Sequence, residues 1–448
     1  MFRDKMGIDF PRKKRAMEDS TAKKITGKIK TRMLPVFCLA AFLCASCEKP
    51  YASSKEENSL WKNEALSYME DQPVIAYTLE EENPNILVDR WGYQAEGGKC
   101  AFIKGKDLPD FFRLVDADSH KTVYVGKLQN KGYRREQELF WAEADFGSWT
   151  TEGNYYIECD DCGRSYSFCI RKDCYETHFK TLTGQVMESC MAGQASVTAA
   201  GRMLQAYEWY PEVFPDDNGD GIPDALRAIA VWTEQFREQE PAMGDSEDYV
   251  AVLAKFSFLY QNYDKEYATE CVKRASVLYD RLTCPTEEKF QALAELYRAT
   301  GLSVYGNRFS EYQSVFQGKT EYTEEQLYGA MTYLCTRQKV EASLCRLFVD
   351  FIVESGESVG DQYRGWLQNA CFGESILQYR AMMRMLSCAD YIANNYAYNQ
   401  ALEGFWHYYG GTNQKAENFY EKENTDSSEY LILVTQLLAV QKESDQSE

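Results

Sequence analysis

Two kinds of apolar spacing divide this chain, and together they bound what it can fold into. From residue 85 to about 171 the apolar residues come in short alternating runs. These are Ile86-Leu-Val, Cys100-Ala-Phe-Ile, Phe112-Arg-Leu-Val, Thr122-Val-Tyr-Val, Leu139-Phe-Trp, Tyr155-Tyr-Ile and Tyr166-Ser-Phe. Turn residues separate them at intervals of roughly 10, the pattern of an antiparallel sandwich. From about 172 onward the spacing lengthens to three and four residues. Segments 250–260, 267–282, 290–300, 324–337, 340–354, 362–394 and 428–441 each carry one apolar helical face. Connected by short loops, helices of ordinary length would number about twelve in this half, which fits a compact α/α toroid.

Composition narrows the function classes. The 448-residue chain carries a formal charge of −20, unevenly placed. Residues 1–32 hold eleven Lys/Arg against four Asp/Glu, so the remainder stands at −27. A body that acidic repels phosphate backbones, which argues against nucleic acid as a partner. The basic start leads into Met33–Ala45, an apolar run of 13 residues. That is short for a membrane span and suits the core of a signal peptide. It ends in Leu43-Cys44-Ala45-Ser46-Cys47, which resembles a bacterial lipobox with Cys44 where an aliphatic residue is usual. The expectation is a signal segment over 1–47, lipidation of Cys47, a polar linker over 48–84, and a cell-surface, extracytoplasmic protein held to the membrane by its lipid. Aromatic content is 14%, with 32 Tyr; this admits either a Tyr-rich core or a sugar-stacking groove.

Two local clusters invite a ligand. Between Pro211/Pro215, which stop one helix, and Pro223, which suits the first position of the next, lies the loop Asp216–Gly221. Asp216, Asn218, Asp220 and Asp224 follow a D-x-N-x-D-G-x-x-D spacing that could offer oxygen ligands to calcium, although Arg227 stands where a bidentate Glu would close such a site. The other reading is a capping turn for the following helix. Cys159, Cys162, Cys169 and Cys174 form C-x2-C-x6-C-x4-C, open to a zinc knuckle, a local disulfide or free thiols.

Several segments resemble glycoside hydrolase family 9, the inverting cellulases. ILVDRWGYQ (86–94), FRLVDADSHKTVYVGKL (112–128) and ADFGSWTTEGNYYIE (144–158) are similar to the immunoglobulin-like module that precedes many of its catalytic domains. The stretch 207–235 resembles its AYE…FP…GNGIPDLLDE segment. Residues 251–275, ALAELYRATG (292–301) and SEYLILVTQLLAVQ (428–441) resemble further helices of its barrel, and GFWHYYGGTNQKAEN (404–418) its sugar-binding loop. The resemblance implies a multidomain fold: an Ig-like β-sandwich over 85–171, then an all-α, (α/α)6-barrel-like toroid, whole or truncated, over 172–448.

An inverting glycosidase needs one carboxylic acid for the leaving oxygen and one carboxylate to activate water. By the resemblance the general acid falls on Glu429. The family's paired aspartates fall on Cys190-Met-Ala-Gly-Gln-Ala-Ser, where Met191 and Gln194 stand at the base position and supply no carboxylate. The family's His-His-Arg is replaced by Asn418-Phe-Tyr-Glu. Trp366, Trp406 and Tyr409 could floor a cleft by stacking on pyranose rings, or belong to the barrel core. The leading expectation is a surface lipoprotein of this descent that binds β-glucan-type polysaccharide, with impaired catalysis and no required cofactor. The alternatives are an active endo-β-1,4-glucanase-type hydrolase with Glu429 as acid and a relocated base such as Asp216 or Asp217, and a structural or assembly protein.

Overall fold

The structure is a computed structural model that describes residues 85–160, 162–238, 240, 246–373, 375–421 and 426–445. The expected signal segment, Cys47 and the 48–84 linker lie outside the described residues. No helix among the described residues is long and apolar enough to cross a membrane.

The alternating runs fold into two facing sheets. The strands are β1 (Ile86–Leu87), β2 (Tyr93–Gln94), β3 (Cys100–Gly105), β4 (Phe111–Asp116) and β5 (Thr122–Lys127), followed by β6 (Gln129–Arg134), β7 (Leu139–Asp145), β8 (Gly153–Cys159), β9 (Gly163–Arg164) and β10 (Phe168–Arg171). One sheet runs β1-β3-β7-β6; the other runs β2-β10-β8-β4-β5, with β9 paired to β8. All pairings are antiparallel except β2 with β10. Inward residues such as Ile86, Ala101, Ile103, Leu114, Ala142, Ile157 and Phe168 form the sandwich core.

The second half is helical: α1 (Cys174–Met191), α2 (Val197–Trp209), α3 (Asp224–Phe236), α4 (Glu247–Tyr260), α5 (Lys265–Tyr279) and α6 (Phe290–Thr300). Short turns over 303–316 lead to α7 (Glu324–Cys335), α8 (Ala342–Tyr363), α9 (Ile376–Ala393), α10 (Tyr396–Gly410) and α11 (Leu431–Asp445). Successive contacts α2–α4, α4–α6, α6–α7, α7–α9, α9–α11 and α11–α2 close a ring of six inner helices. The helices α1, α3, α5, α8 and α10 and the 303–316 turns lie outside it. This is an Ig-like sandwich followed by an (α/α)6 barrel. The barrel is closed, so the truncation that the sequence left open does not interrupt the ring.

Inner and outer helices alternate along the chain, so the inner six run the same way and their N-termini gather at one end. Glu324 at the start of α7, Arg380 and Arg384 in the first half of α9 and Glu429 just before α11 meet there. At the other end, Glu208, Lys255, Glu295 and Arg298 form a second, buried ion cluster. Lys255 Nζ lies 2.8 Å from Glu208 and 3.0 Å from Glu295, and Arg298 bonds both glutamates.

The helix boundaries differ from expectation in three places. The long apolar run 362–394 is broken, because Gly365 is followed by Trp366 in the left-handed conformation (φ 57°). Pro223 caps α3 from the outside, with extended ψ, rather than opening it. Residues 404–410, expected in a loop, complete α10, and the loop proper begins at Gly411.

The two domains share a dry contact. Leu87, Cys100, Phe102 and Trp141 from the first sheet pack with Ala370 and Ala416. Beside it lies a buried hydrogen-bonded pair, Asp89 Oδ2 to His407 Nδ1 at 2.7 Å. The other oxygen of Asp89 accepts from the N–H groups of Trp91 (2.8 Å) and Gly92 (3.2 Å). Gly410 carries no Cβ where one would fall 1.8 Å from Asp89 Oδ1, and this absence lets α10 approach. Lys104 Nζ adds a 2.6 Å bond to the Gln414 carbonyl.

Candidate functional site

The N-terminal end of the inner ring is the natural place for chemistry, since six helix N-termini face it and favour negative charge there. A 3₁₀ turn, Ser427–Tyr430, carries Glu429 into that end, and Asp426 caps it by accepting from Ser428 N–H at 3.0 Å.

Glu429 does not stand alone there. Its Oε1 lies 2.8 Å from Arg202 Nη2 of α2. Its Oε2 lies 3.4 Å from Arg384 Nη1 and 3.8 Å from Arg380 Nε, both on α9. Arg202 also makes a two-pronged bond to Glu324, Nε to Oε1 at 2.7 Å and Nη2 to Oε2 at 2.8 Å, and its Nη1 reaches Asp426 at 3.3 Å. Such forked pairs are the strong, directional kind. The side chains are only slightly open to water, 12% for Glu429 and 8% for Arg202. Burial alone would raise the Glu324 carboxyl, but Arg202, Arg384 and Arg380 outweigh it and hold it below its ordinary value. Burial likewise works against the charged form of Arg202, and Glu324 and Glu429 override it, so this guanidinium stays protonated. Both oxygens of Glu429 therefore face guanidinium donors.

The turn after α1 is where the resemblance puts the water-activating aspartates. Met191 ends α1 with its side chain exposed. Gly193 takes φ +68°, and the N–H groups of Gln194 and Ala195 return to the Ser189 carbonyl at 2.8 and 3.0 Å. Trp232 Nε1 fixes the turn through the Ala195 carbonyl at 3.0 Å. Gln194 points into a cavity of about 240 Å³ between α1, the start of α2 and the 3₁₀ turn. Its polar lining is Gln185, Ser189, Gln194, Ser196, Ser427 and one carboxylate, Asp426. A second carboxyl stands at the same end of the ring: burial, then the Glu325, Glu247 and Glu324 carboxylates, push Asp248 up to about 6.

The other residues singled out in the sequence lie elsewhere. Trp406 and Tyr409 are fully buried in an aromatic lattice. Trp406 meets Trp91, Tyr175, His178 and Tyr420, and Tyr409 meets Tyr379, Tyr408 and Tyr430. Neither ring offers a face to a sugar. Trp366 is half-buried, packs on Gly98 and Gly404, and donates to the Gln400 carbonyl at 2.6 Å; it belongs to the contact with the sandwich.

In the acidic loop the carboxylates serve the loop itself. Asp216 accepts from the N–H groups of Gly219, Asp220 and Gly221, Asp220 pairs with Arg227, and Asp224 accepts from Asp217 N–H and Asn218 Nδ2. Among the described residues, no group of three or more His, Cys, Asp or Glu could hold a metal ion. In the structure Cys159, Cys169 and Cys174 are in the thiol form. Sequence reasoning missed Arg202, Arg380 and Arg384; each occupies one face of a helix whose other residues read as ordinary packing.

An immunoglobulin-like domain leading into an (α/α)6 barrel is the architecture of the family 9 glycoside hydrolase endoglucanases. Residues 81–164 match the family described as Cellulase N-terminal ig-like domain. Three solved structures extend the likeness over both domains. A metagenome-derived glycoside hydrolase family 9 endoglucanase superposes with a TM-score of 0.61 at 17% identity, covering 76% of this chain and 86% of that one. The family 9 glycoside hydrolase of Bacteroides ovatus gives 0.60 at 13%, covering 81% and 100%. A thermostable endoglucanase from Alicyclobacillus acidocaldarius gives 0.57 at 15%, covering 75% and 84%. At these identities the likeness is one of fold. No curated protein matches the chain by sequence.

Proposed function

We propose that this protein binds β-glucan-type polysaccharide at the N-terminal end of its barrel and has lost efficient hydrolysis. One observation carries the reading: Glu429, which the sequence resemblance puts at the proton donor's position, has its oxygens 2.8 Å from Arg202 and 3.4 Å from Arg384. A general acid must present a proton to the leaving oxygen, and a general base must stand across the bond to deprotonate water. Guanidinium donors take up the first role's oxygens, and Met191 and Gln194 leave the second unfilled. What remains beside them is a cavity lined by amides, hydroxyls and one carboxylate. Those groups suit the hydroxyls of a neutral sugar. The similar structures are endoglucanases, which supports the glycan class, and the lipobox-like end at Cys47 supports the surface anchor. Isothermal titration with cellohexaose and with xyloglucan oligosaccharide tests it. Binding heat without product release is expected, and the absence of heat with either glycan overturns the binding half. Lipidation is read separately, from the mass of the mature N-terminal peptide.

A second reading keeps a slow hydrolase. Asp248, protonated to about pH 6 at the same end of the ring, would serve as the acid in place of Glu429. It predicts that Asp248→Asn abolishes turnover while Glu429→Gln spares it. Turnover undetectable in the unmodified protein removes it.

A further inference from the structure

Outside the N-terminal end of the ring, the junction between the two domains holds two neighbouring cysteines, Cys169, whose sulfur reaches the Trp91 carbonyl at 3.9 Å, and the buried Cys174. Cys169 lies on β10, the last strand of the sandwich, and Cys174 is the first residue of α1. They approach the same spot from opposite sides of the four-residue connector. A Cβ added at Gly92 would fall 2.6 Å from Cys169 Sγ and 3.6 Å from Cys174 Sγ, so the sulfurs are no farther apart than those two distances added. Gly92 has φ +116°, a conformation that side-chain-bearing residues rarely adopt, and its missing Cβ is the space into which the sulfurs converge.

We propose that Cys169 and Cys174 are joined by a disulfide that staples the sandwich to the barrel in an oxidising compartment. The step is thiol–disulfide exchange with a small-molecule or protein disulfide as oxidant. The thiolate of Cys169, the more accessible of the two, attacks the donor disulfide and expels one thiolate. Cys174, deprotonated, then attacks the Cys169 sulfur of the mixed disulfide and expels the second. Two protein thiols become one disulfide, the donor is reduced to two thiols, and the two protons end on the released thiolates. Burial raises both thiols above their usual value, which slows the exchange in the folded chain. The bond is therefore made fastest while the junction is still open during folding.

The test uses the full chain. Refold it with oxidised and reduced glutathione, block remaining thiols with iodoacetamide, digest with trypsin and identify peptides by mass. Cleavage after Arg164, Arg171, Lys172 and Lys180 releases Ser165–Arg171 and Asp173–Lys180 as separate peptides. The proposal expects one disulfide-linked species of their combined mass, split by dithiothreitol and missing in both Cys169→Ser and Cys174→Ser. It also expects the single-serine variants to leave the surviving cysteine of the pair alkylated. Two alkylated peptides after oxidative refolding overturn it, as does a linkage of either peptide to the one bearing Cys159 or Cys162.

Discussion

At the scale of single residues, the account turns on Arg202. It bridges Glu324, Glu429 and Asp426, three carboxylates delivered by two separate segments. Removing it leaves the nearly buried Glu324 and Glu429 with only their longer contacts to Arg384 and Arg380, a loss of about 2 kcal/mol, less than the cost of stranding a buried charge outright. Urea unfolding of Arg202→Ala should show a drop of that order, and a drop below about 0.5 kcal/mol would return the cluster to the status of a surface pair. A second residue gives a pH signature. Burial pushes the Asp390 carboxyl up to about 6 from 3.8, against the lowering effect of Gln436 and the Asn395 N–H. The folded chain thus holds a proton there that the unfolded chain releases near pH 4. The stability this contributes is fully present below about pH 4 and is lost as pH rises through 6. Asp390→Asn escapes that loss, so its unfolding free energy relative to the parent should be more favourable at pH 8 than at pH 4, by about 2–3 kcal/mol. An equal offset at both values would refute the assignment. Glu429 was visible in the sequence as a position within a helix motif. Its arginines were not, because Arg202, Arg380 and Arg384 meet it only once the ring closes, and a buried Arg looks in sequence like any solvated helix residue.

At the scale of elements, alternation and helical spacing disclosed most of the fold. Seven of the strands coincide with the apolar runs. The strand β6, QNKGYR, escaped because it is an exposed polar edge whose existence rests on pairing with β7, with a bulge near Gly132. Helix α10 escaped for another reason. Its aromatic run FWHYYG resembles a loop of the family, whereas burial on nearly every side of its second half carries the helix to Gly410. The acidic loop before α3 was legible as an ordered turn, but spacing alone did not show what its oxygens would hold. In the structure Asp216 accepts three backbone N–H groups and Asp220 pairs with Arg227, so calcium would have to displace bonds already made. Chelation with EDTA is accordingly expected to leave Tm unchanged within about 1 °C, since only a ligand bound to the folded state raises it. A fall of several degrees, restored by calcium, would show that the loop holds the ion.

At the scale of the whole molecule, the sandwich and the barrel act as one body because charged and apolar contacts cross their seam together. Asp89 and His407 are both almost fully buried and bonded at 2.7 Å, beside Trp141 and its apolar neighbours. His407→Ala leaves the buried Asp89 Oδ2 without its hydrogen-bond partner and should cost about 2 kcal/mol. Far-ultraviolet ellipticity and tryptophan fluorescence should report that loss in one shared transition; separated transitions would mean that the domains unfold independently. The ring itself is complete, and its two ends differ: a largely buried ion cluster stands at the C-terminal end, and at the N-terminal end an arginine-held Glu429 lies near a polar cavity with one carboxylate in its lining. Chromatographic product analysis of the purified protein incubated with cellohexaose at saturating concentration tests this most directly. The account predicts cellohexaose recovered intact beyond the level of a protein-free control. Shorter cello-oligosaccharides whose release disappears in Glu429→Gln would contradict it.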